Sequence, residues 1–172
     1  RILFDNAHDM IQSVAPDGRF IFANSAWMKT LGYTPDDLKT ITMFDIIHPD
    51  CKDHCAAAFQ RVMSGEAVDN VEATFISKDG RKIEVEGSVN VRFIGGRVVA
   101  TQGIFRDITQ RKKAAEQLAG LLRDVTRAKT EWEMTFNNSM EIIILLDKDL
   151  NIIKHNKRFA DFVGLPPQEL PG

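Results

Sequence analysis

The stretch Ile83-Glu84-Val85-Glu86-Gly87-Ser88-Val89-Asn90-Val91 sets the architecture. Ile83, Val85, Val89 and Val91 alternate with Glu84, Glu86, Ser88 and Asn90. Successive side chains of a strand point to opposite faces. Period two with one apolar set therefore predicts a half-buried antiparallel strand. Upstream, Val71, Ala73 and Phe75 alternate in the same way, and Lys78-Asp79-Gly80 turns the chain. Downstream, Gly95-Gly96 turns it again, and Val98 to Asp107 returns as a third strand.

Working toward the N-terminus, Pro49 precedes a helix expected over Asp50 to Met63 and closed by Ser64-Gly65. The apolar run Ile41 to Ile47 predicts a helical turn or two. Thr34 is placed to cap a short helix with Pro35 at its first position. Gly32 ends an earlier helix through Trp27 and Leu31, capped by Asn24 or Ser25. Before that, Met10 to Val14 and Arg19 to Ala23 form a hairpin around Pro16-Asp17-Gly18-Arg19. Ile2 to Ala7 reads as a lead-in helix. The expected fold class is α+β: a five-stranded antiparallel sheet with helices on one face.

The period changes after Ile108. Ile108, Ala115, Leu122, Lys129 and Phe136 lie seven apart, and Arg111, Leu118, Val125 and Trp132 form the companion series. These are a and d positions of a heptad repeat, which predicts a long helix in a parallel dimeric coiled coil. Beyond it the chain repeats itself. At an offset of 132 positions, Asp17 falls on Asp149, Asn24 on Asn156, Gly32 on Gly164, Pro35 on Pro167 and Leu38 on Leu170. Three segments follow: a first domain at 1–109, a linker helix at 110–132, and the opening part of a second copy at 133–172. Ile142, Ile144, Leu146, Ile152, Phe159 and Phe162 of that second copy would form an open apolar face, expected to be shielded by another chain or by the first domain.

The bulk numbers agree with a globular protein. The 172 residues are 44% apolar and 27% charged. A net charge of −2 gives no footprint for nucleic acid or an anionic membrane. No apolar run approaches the ~18 residues of a membrane span. Cys51 and Cys55, four apart, suit reduced cytosolic thiols better than a disulfide, so a cytoplasmic location is expected. The chain opens at Arg1 and reads as an excised piece of a longer protein. No phosphate loop and no His-Glu-x-x-His run occurs, so the chain is expected to be regulatory and without catalytic residues.

The residues from Phe4 to Thr109 resemble a PAS domain of the sensory-box kind. The similarity rests on Asp17-Gly18, Ala23-Asn24, Leu31-Gly32-Tyr33, His48-Pro49-Asp50 and Ser77-Lys78-Asp79-Gly80 in that order. It ends on Gly103-Ile104-Phe105-Arg106-Asp107-Ile108-Thr109, an Asp-x-Thr at the exit of the last strand. The second copy resembles the start of another such domain. The resemblance implies a sensory module of a signalling protein, a sensor histidine kinase or a cyclase, working as a homodimer with other domains of the same protein.

The resemblance also implies a ligand pocket, with Phe22, Asn24, Trp27, Phe44, His54, Phe59, Val85 and Phe105 as its candidate residues. It further implies that Asp107 and Thr109 couple the sheet to the helix. Photochemical flavin binding is excluded: Thr42 and Ile41 stand where the resemblance requires Cys and Asn, and Val85 and Phe105 stand where it requires amides. Redox flavin near Asn24 and Trp27 stays open. So does haem on His54 or Cys55, and so does a core without ligand, either packed or lined for a greasy molecule. A metal held by His48, Cys51, His54 and Cys55 matches no familiar zinc spacing. The alternative to a sensor is a purely structural dimerisation module.

Overall fold

The computed structural model describes residues 8–164, so the lead-in helix expected over Ile2 to Ala7, and Pro167 and Leu170 of the repeat, lie outside the described residues. The chain divides into two compact units, Arg1–Ala114 and Ala115–Gly172.

In the first unit, strands β1 (Met10–Val14) and β2 (Phe20–Ala23) lead into helix α1 (Ser25–Leu31). Helix α2 (Lys52–Met63) follows, and then strands β3 (Val68–Ile76), β4 (Lys82–Ile94) and β5 (Arg97–Asp107). The five strands form one antiparallel sheet in the order β2-β1-β5-β4-β3. Alternation places Ile83 and Val85 of β4, Ala73 and Phe75 of β3, and Phe105 of β5 in the buried core with Trp27, Leu31 and Cys55. Glu72, Glu84, Glu86 and Arg106 fall on the other face, as period two requires.

Two glycines let the sheet close over that core. A Cβ at Gly87 would meet the Ile104 carbonyl oxygen at 2.1 Å and the Phe105 ring at 2.7 Å. A Cβ at Gly103 would meet the same ring at 2.6 Å and Gln12 Cγ at 3.3 Å. Phe105 thus lies across both, and packs edge-on against Phe75 with centroids 5.1 Å apart.

Two expectations between α1 and α2 are corrected. Ile41 to Ile47 forms turns, not helix. Asp45 accepts from the Thr42 amide and hydroxyl (2.7 and 2.8 Å), and isolated bridges pair Thr42 with Arg19 and Ile47 with Phe75. The Ile46 carbonyl accepts from the Ile76 amide at 2.6 Å, so this run is sewn to β3. Pro35 does not open a helix either. A 3₁₀ turn starts later, at Asp37–Lys39, although the Thr34 hydroxyl does accept from the Asp37 amide at 3.3 Å. The long helix itself begins at Lys52, after a 3₁₀ turn at Pro49–Cys51.

Helix α3 runs from Thr109 to Asn138. The second unit adds a two-stranded sheet of β6 (Ile144–Leu146) and β7 (Ile152–His155), then helix α4 (Lys157–Val163). The repeat is visible bond by bond. Asn24 Oδ1 accepts from the Ile11 and Trp27 amides at 3.0 Å each, and its Nδ2 donates to the Asp9 carbonyl at 3.0 Å. Its counterpart Asn156 accepts from Ile143 (3.2 Å) and Phe159 (3.1 Å) and donates to Glu141 (2.8 Å). Each of those partners stands 132 residues after its equivalent. Gly32 and Gly164 end the two helices at φ of 76° and 73°, a left-handed cap that favours glycine.

Candidate functional site

Beneath the sheet lies a cavity of about 40 Å³. Strands β3 to β5 contribute Ala73, Phe75, Val89 and Phe105, and α2 contributes Cys55, Phe59 and Val62. Met43, Ile46 and Ile47 close it from the turn segment. The polar members are Gln12 and Thr101. Gln12 Oε1 accepts from the Trp27 indole N–H at 2.8 Å, and the Thr101 hydroxyl donates to the Val14 carbonyl at 3.4 Å.

Of the candidates drawn from the sequence, Phe59 and Phe105 line this cavity. Phe44 packs edge-on against Phe59 at 5.8 Å. Trp27 and Val85 are fully buried in the surrounding core. Asn24 is spent on the β1–α1 corner. Phe22 faces a separate surface groove with Pro35 and Leu38. His54 is exposed; its Nε2 lies 2.9 Å from the Glu72 carbonyl and 3.5 Å from Cys55 Sγ. Gln12, Thr101, Met43 and the α2 residues Ala58 and Val62 were missed. Gln12 had a signal: it is the polar member of the inward set Met10, Gln12, Val14.

Neither haem nor flavin fits this cavity as it stands. At about 40 Å³ it lies far below the ~300–1,000 Å³ typical of cofactor-sized pockets. A macrocycle or a tricyclic ring would require repacking of Phe59, Phe75 and Phe105. Burial pushes the Cys55 thiol up to about 11, with Cys51 adding to the rise, so it is a neutral thiol near pH 7 rather than a thiolate ligand. Among the described residues no group of three or more His, Cys, Asp or Glu is arranged to hold a metal ion, so His48, Cys51, His54 and Cys55 are not brought together as a set. Both cysteines are free.

The second feature is the start of α3. Asp107 Oδ1 accepts from the Thr109 amide at 2.8 Å, satisfying one of the otherwise unpaired first N–H groups of the helix. The Thr109 hydroxyl accepts from the Glu84 amide at 2.9 Å, and the Ile108 amide donates to the Glu84 carbonyl at 2.8 Å. The first turn is therefore sewn to β4 by backbone and side chain together. Lys112 adds ion pairs to Glu72 (2.8 Å) and Glu84 (3.4 Å), and Arg111 pairs with Glu86 at 2.6 Å. Lys112 holds the Glu72 carboxyl below its ordinary value. Exposed pairs of this kind are screened by water and contribute little, so the hydrogen bonds dominate the anchoring. Strand β5 joins the two features: Phe105 points into the cavity, and Asp107, two residues on, holds the helix.

Further along α3, Leu118, Leu122 and Val125 are about two-thirds exposed, all at heptad positions. Phe136 is different. It is buried within the second unit and stacks on Trp132 at 4.7 Å, so the last a position is taken up there. In the same unit Ile142, Ile144, Leu146 and Phe162 are exposed, while Ile152 and Phe159 are partly buried. Among the described residues no helix is long and apolar enough to cross a membrane.

The PAS domain family matches residues 8–110, and it matches again at residues 130–172. The sensor histidine kinase TmoS of Ectopseudomonas mendocina is 28% identical over 149 residues, covering 83% of this chain and 15% of that protein. The methyl sulfide methyltransferase-associated sensor of Methanosarcina acetivorans is 35% identical over 101 residues, covering 56% of this chain and 10% of that protein. The chain thus spans a small fraction of either relative. A domain of the sensory box sensor histidine kinase/response regulator from Geobacter sulfurreducens superposes with a TM-score of 0.54 at 27% identity, over 62% of this chain and 90% of that domain. With the five-stranded sheet, the helix-lined core and two matches to the family, this chain belongs to the PAS domain family, one domain followed by part of a second.

Proposed function

We propose that the chain is the sensory segment of a signal-transduction protein of the sensor histidine kinase kind. It couples the state of the β3–β5 cavity to a dimeric output through α3. Domain bounds of 1–109, 110–132 and 133–172 express this division of labour, and catalysis would lie in other parts of the protein. The free thiols of Cys51 and Cys55 support a reducing, cytoplasmic setting.

The observation that carries the reading is the continuity of β5. Its inner residue Phe105 is cavity wall, and its last residue Asp107 holds the first amide of α3. A ligand that displaces Phe105 must move a strand whose end fixes the helix. The exposed Leu118, Leu122 and Val125 support pairing of α3 with a second copy of itself, which would convert that movement into a change of helix register. The test is signalling output of the full-length protein carrying Asp107→Ala. Output that no longer responds, from a domain that still folds, supports the coupling. Unchanged output overturns it.

A second reading has a specific observation in its favour. The packing of Phe75 on Phe105 leaves little empty volume, which suits an interaction module that binds no ligand. Native mass spectrometry separates the two: a bound small molecule supports sensing, and its absence after purification and ligand screening supports the interaction module.

A further inference from the structure

The cavity carries one polar group whose second half has nothing to bind. Gln12 is 6% exposed and lines the cavity. Trp27 Nε1 is a donor only, so the Gln12 atom facing it at 2.8 Å must be the amide oxygen. That fixes the amide nitrogen on the other side. Among the described residues this nitrogen finds no acceptor. It is also not sealed in, because among the described residues no fully buried side-chain nitrogen or oxygen lacks a partner. The nitrogen therefore meets open space, and the space beside Gln12 is the cavity. Gly103 makes the position possible: a Cβ there would come within 3.3 Å of Gln12 Cγ.

We infer that the cavity takes a small, mostly apolar molecule bearing one hydrogen-bond acceptor, such as a short-chain ketone or aldehyde, with its oxygen on the Gln12 amide N–H. This deepens the sensory reading above and rests on it. Thr101, the other polar member, spends its hydroxyl proton on the Val14 carbonyl, and the walls Ile46, Ile47, Phe59, Val62, Phe75 and Phe105 are apolar. They favour the hydrocarbon part and offer nothing to a charged or multiply polar ligand. The indole N–H locks the orientation of the Gln12 amide, so the donor is already aimed when the ligand arrives. A buried donor left unpaired is costly, which gives the site a reason to prefer an acceptor over a hydrocarbon of the same shape.

The experiment compares 2-butanone with 2-methyl-1-butene, in which a methylene replaces the carbonyl oxygen, by titration into the ¹⁵N-labelled chain. The side-chain amide resonance of Gln12 is the reporter. The expected result is that 2-butanone binds about 3- to 10-fold tighter, the range set by one net hydrogen bond, and shifts the Gln12 amide. Gln12→Leu should abolish the preference. Because that variant also strips Trp27 of its acceptor and can unfold the domain, the wild-type comparison stands by itself. Equal binding of both probes with an unmoved Gln12 resonance overturns the inference and leaves ligand sensing intact. Binding of neither probe overturns the inference as well, while the sensory reading is decided separately by the native mass spectrometry above.

Discussion

Replacing Asn24 by Ala probes the corner from which the whole first domain hangs. The Asn24 side chain is fully buried and holds three backbone groups: the Ile11 and Trp27 amides and the Asp9 carbonyl. It is also the N-cap of α1, a role whose loss costs about 1 kcal/mol by itself. Alanine leaves the buried Ile11 amide without its acceptor and the part-buried Asp9 carbonyl without its donor. Each unpaired buried group costs roughly 1–3 kcal/mol. The sum is about 3 kcal/mol or more, and at ~4–8 °C per kcal/mol for a domain of this size it corresponds to a Tm drop of over ~10 °C. Urea unfolding followed by Trp27 fluorescence, in a Trp132→Phe background, reads it directly. The denaturant slope should not change while the midpoint falls. A loss below about 1 kcal/mol would refute the claim that this side chain joins hairpin to helix. Asn156→Ala removes the equivalent three bonds in the second unit, so its unfolding signature should appear there and leave the first domain's midpoint in place.

Gly87→Ala should destabilise the first domain by well over about 1 kcal/mol in the same assay, because the new Cβ meets backbone rather than a movable side chain; a neutral result would contradict the close approach of β4 and β5. Leu122→Glu should shift the chain from dimer to monomer in sedimentation equilibrium, and an unchanged mass would remove α3 as the dimer seam. The Asp37 carboxyl is held down to about 2, first by the Lys78 ammonium and then by Thr34. A depressed folded value adds stability above the unfolded value near 4 and loses it as pH falls toward 2. Asp37→Asn should therefore flatten the stability profile between about pH 5 and 2, and a profile identical to wild type would deny the contact any role. Cys55, with its thiol pushed up to about 11, should react with iodoacetamide at pH 8 far more slowly than the half-buried Cys51.

Much of the fold was legible because its signals were periodic. Alternation along β3 and β4 and the 132-residue repeat are each spread over many residues, so single exceptions did not mislead. The repeat was the richest of these, since Asn24 and Asn156 proved to make the same three bonds. The segment Ile41 to Ile47 was misread for a physical reason. A short apolar run has no period long enough to tell helix from extended chain, and here the Ile47 pairing with Phe75 and the Asp45–Thr42 turn decide the matter. The cavity wall was half legible. Phe59 and Phe105 follow from inward faces, but Phe22 turns to a separate surface groove, and Val85 shows that an inward residue need not border the void. Gln12 was passed over because a polar residue in a strand reads as solvent-facing until its pairing register is known.

The central claim is that the cavity and the start of α3 share one strand. A double-mutant cycle on the full-length protein tests it most directly, pairing the cavity-filling Ala73→Val with Asp107→Ala and reading signalling output. The account predicts that Ala73→Val changes output in the wild-type background and has no further effect once Asp107 is gone. Additive effects of the two substitutions would contradict it.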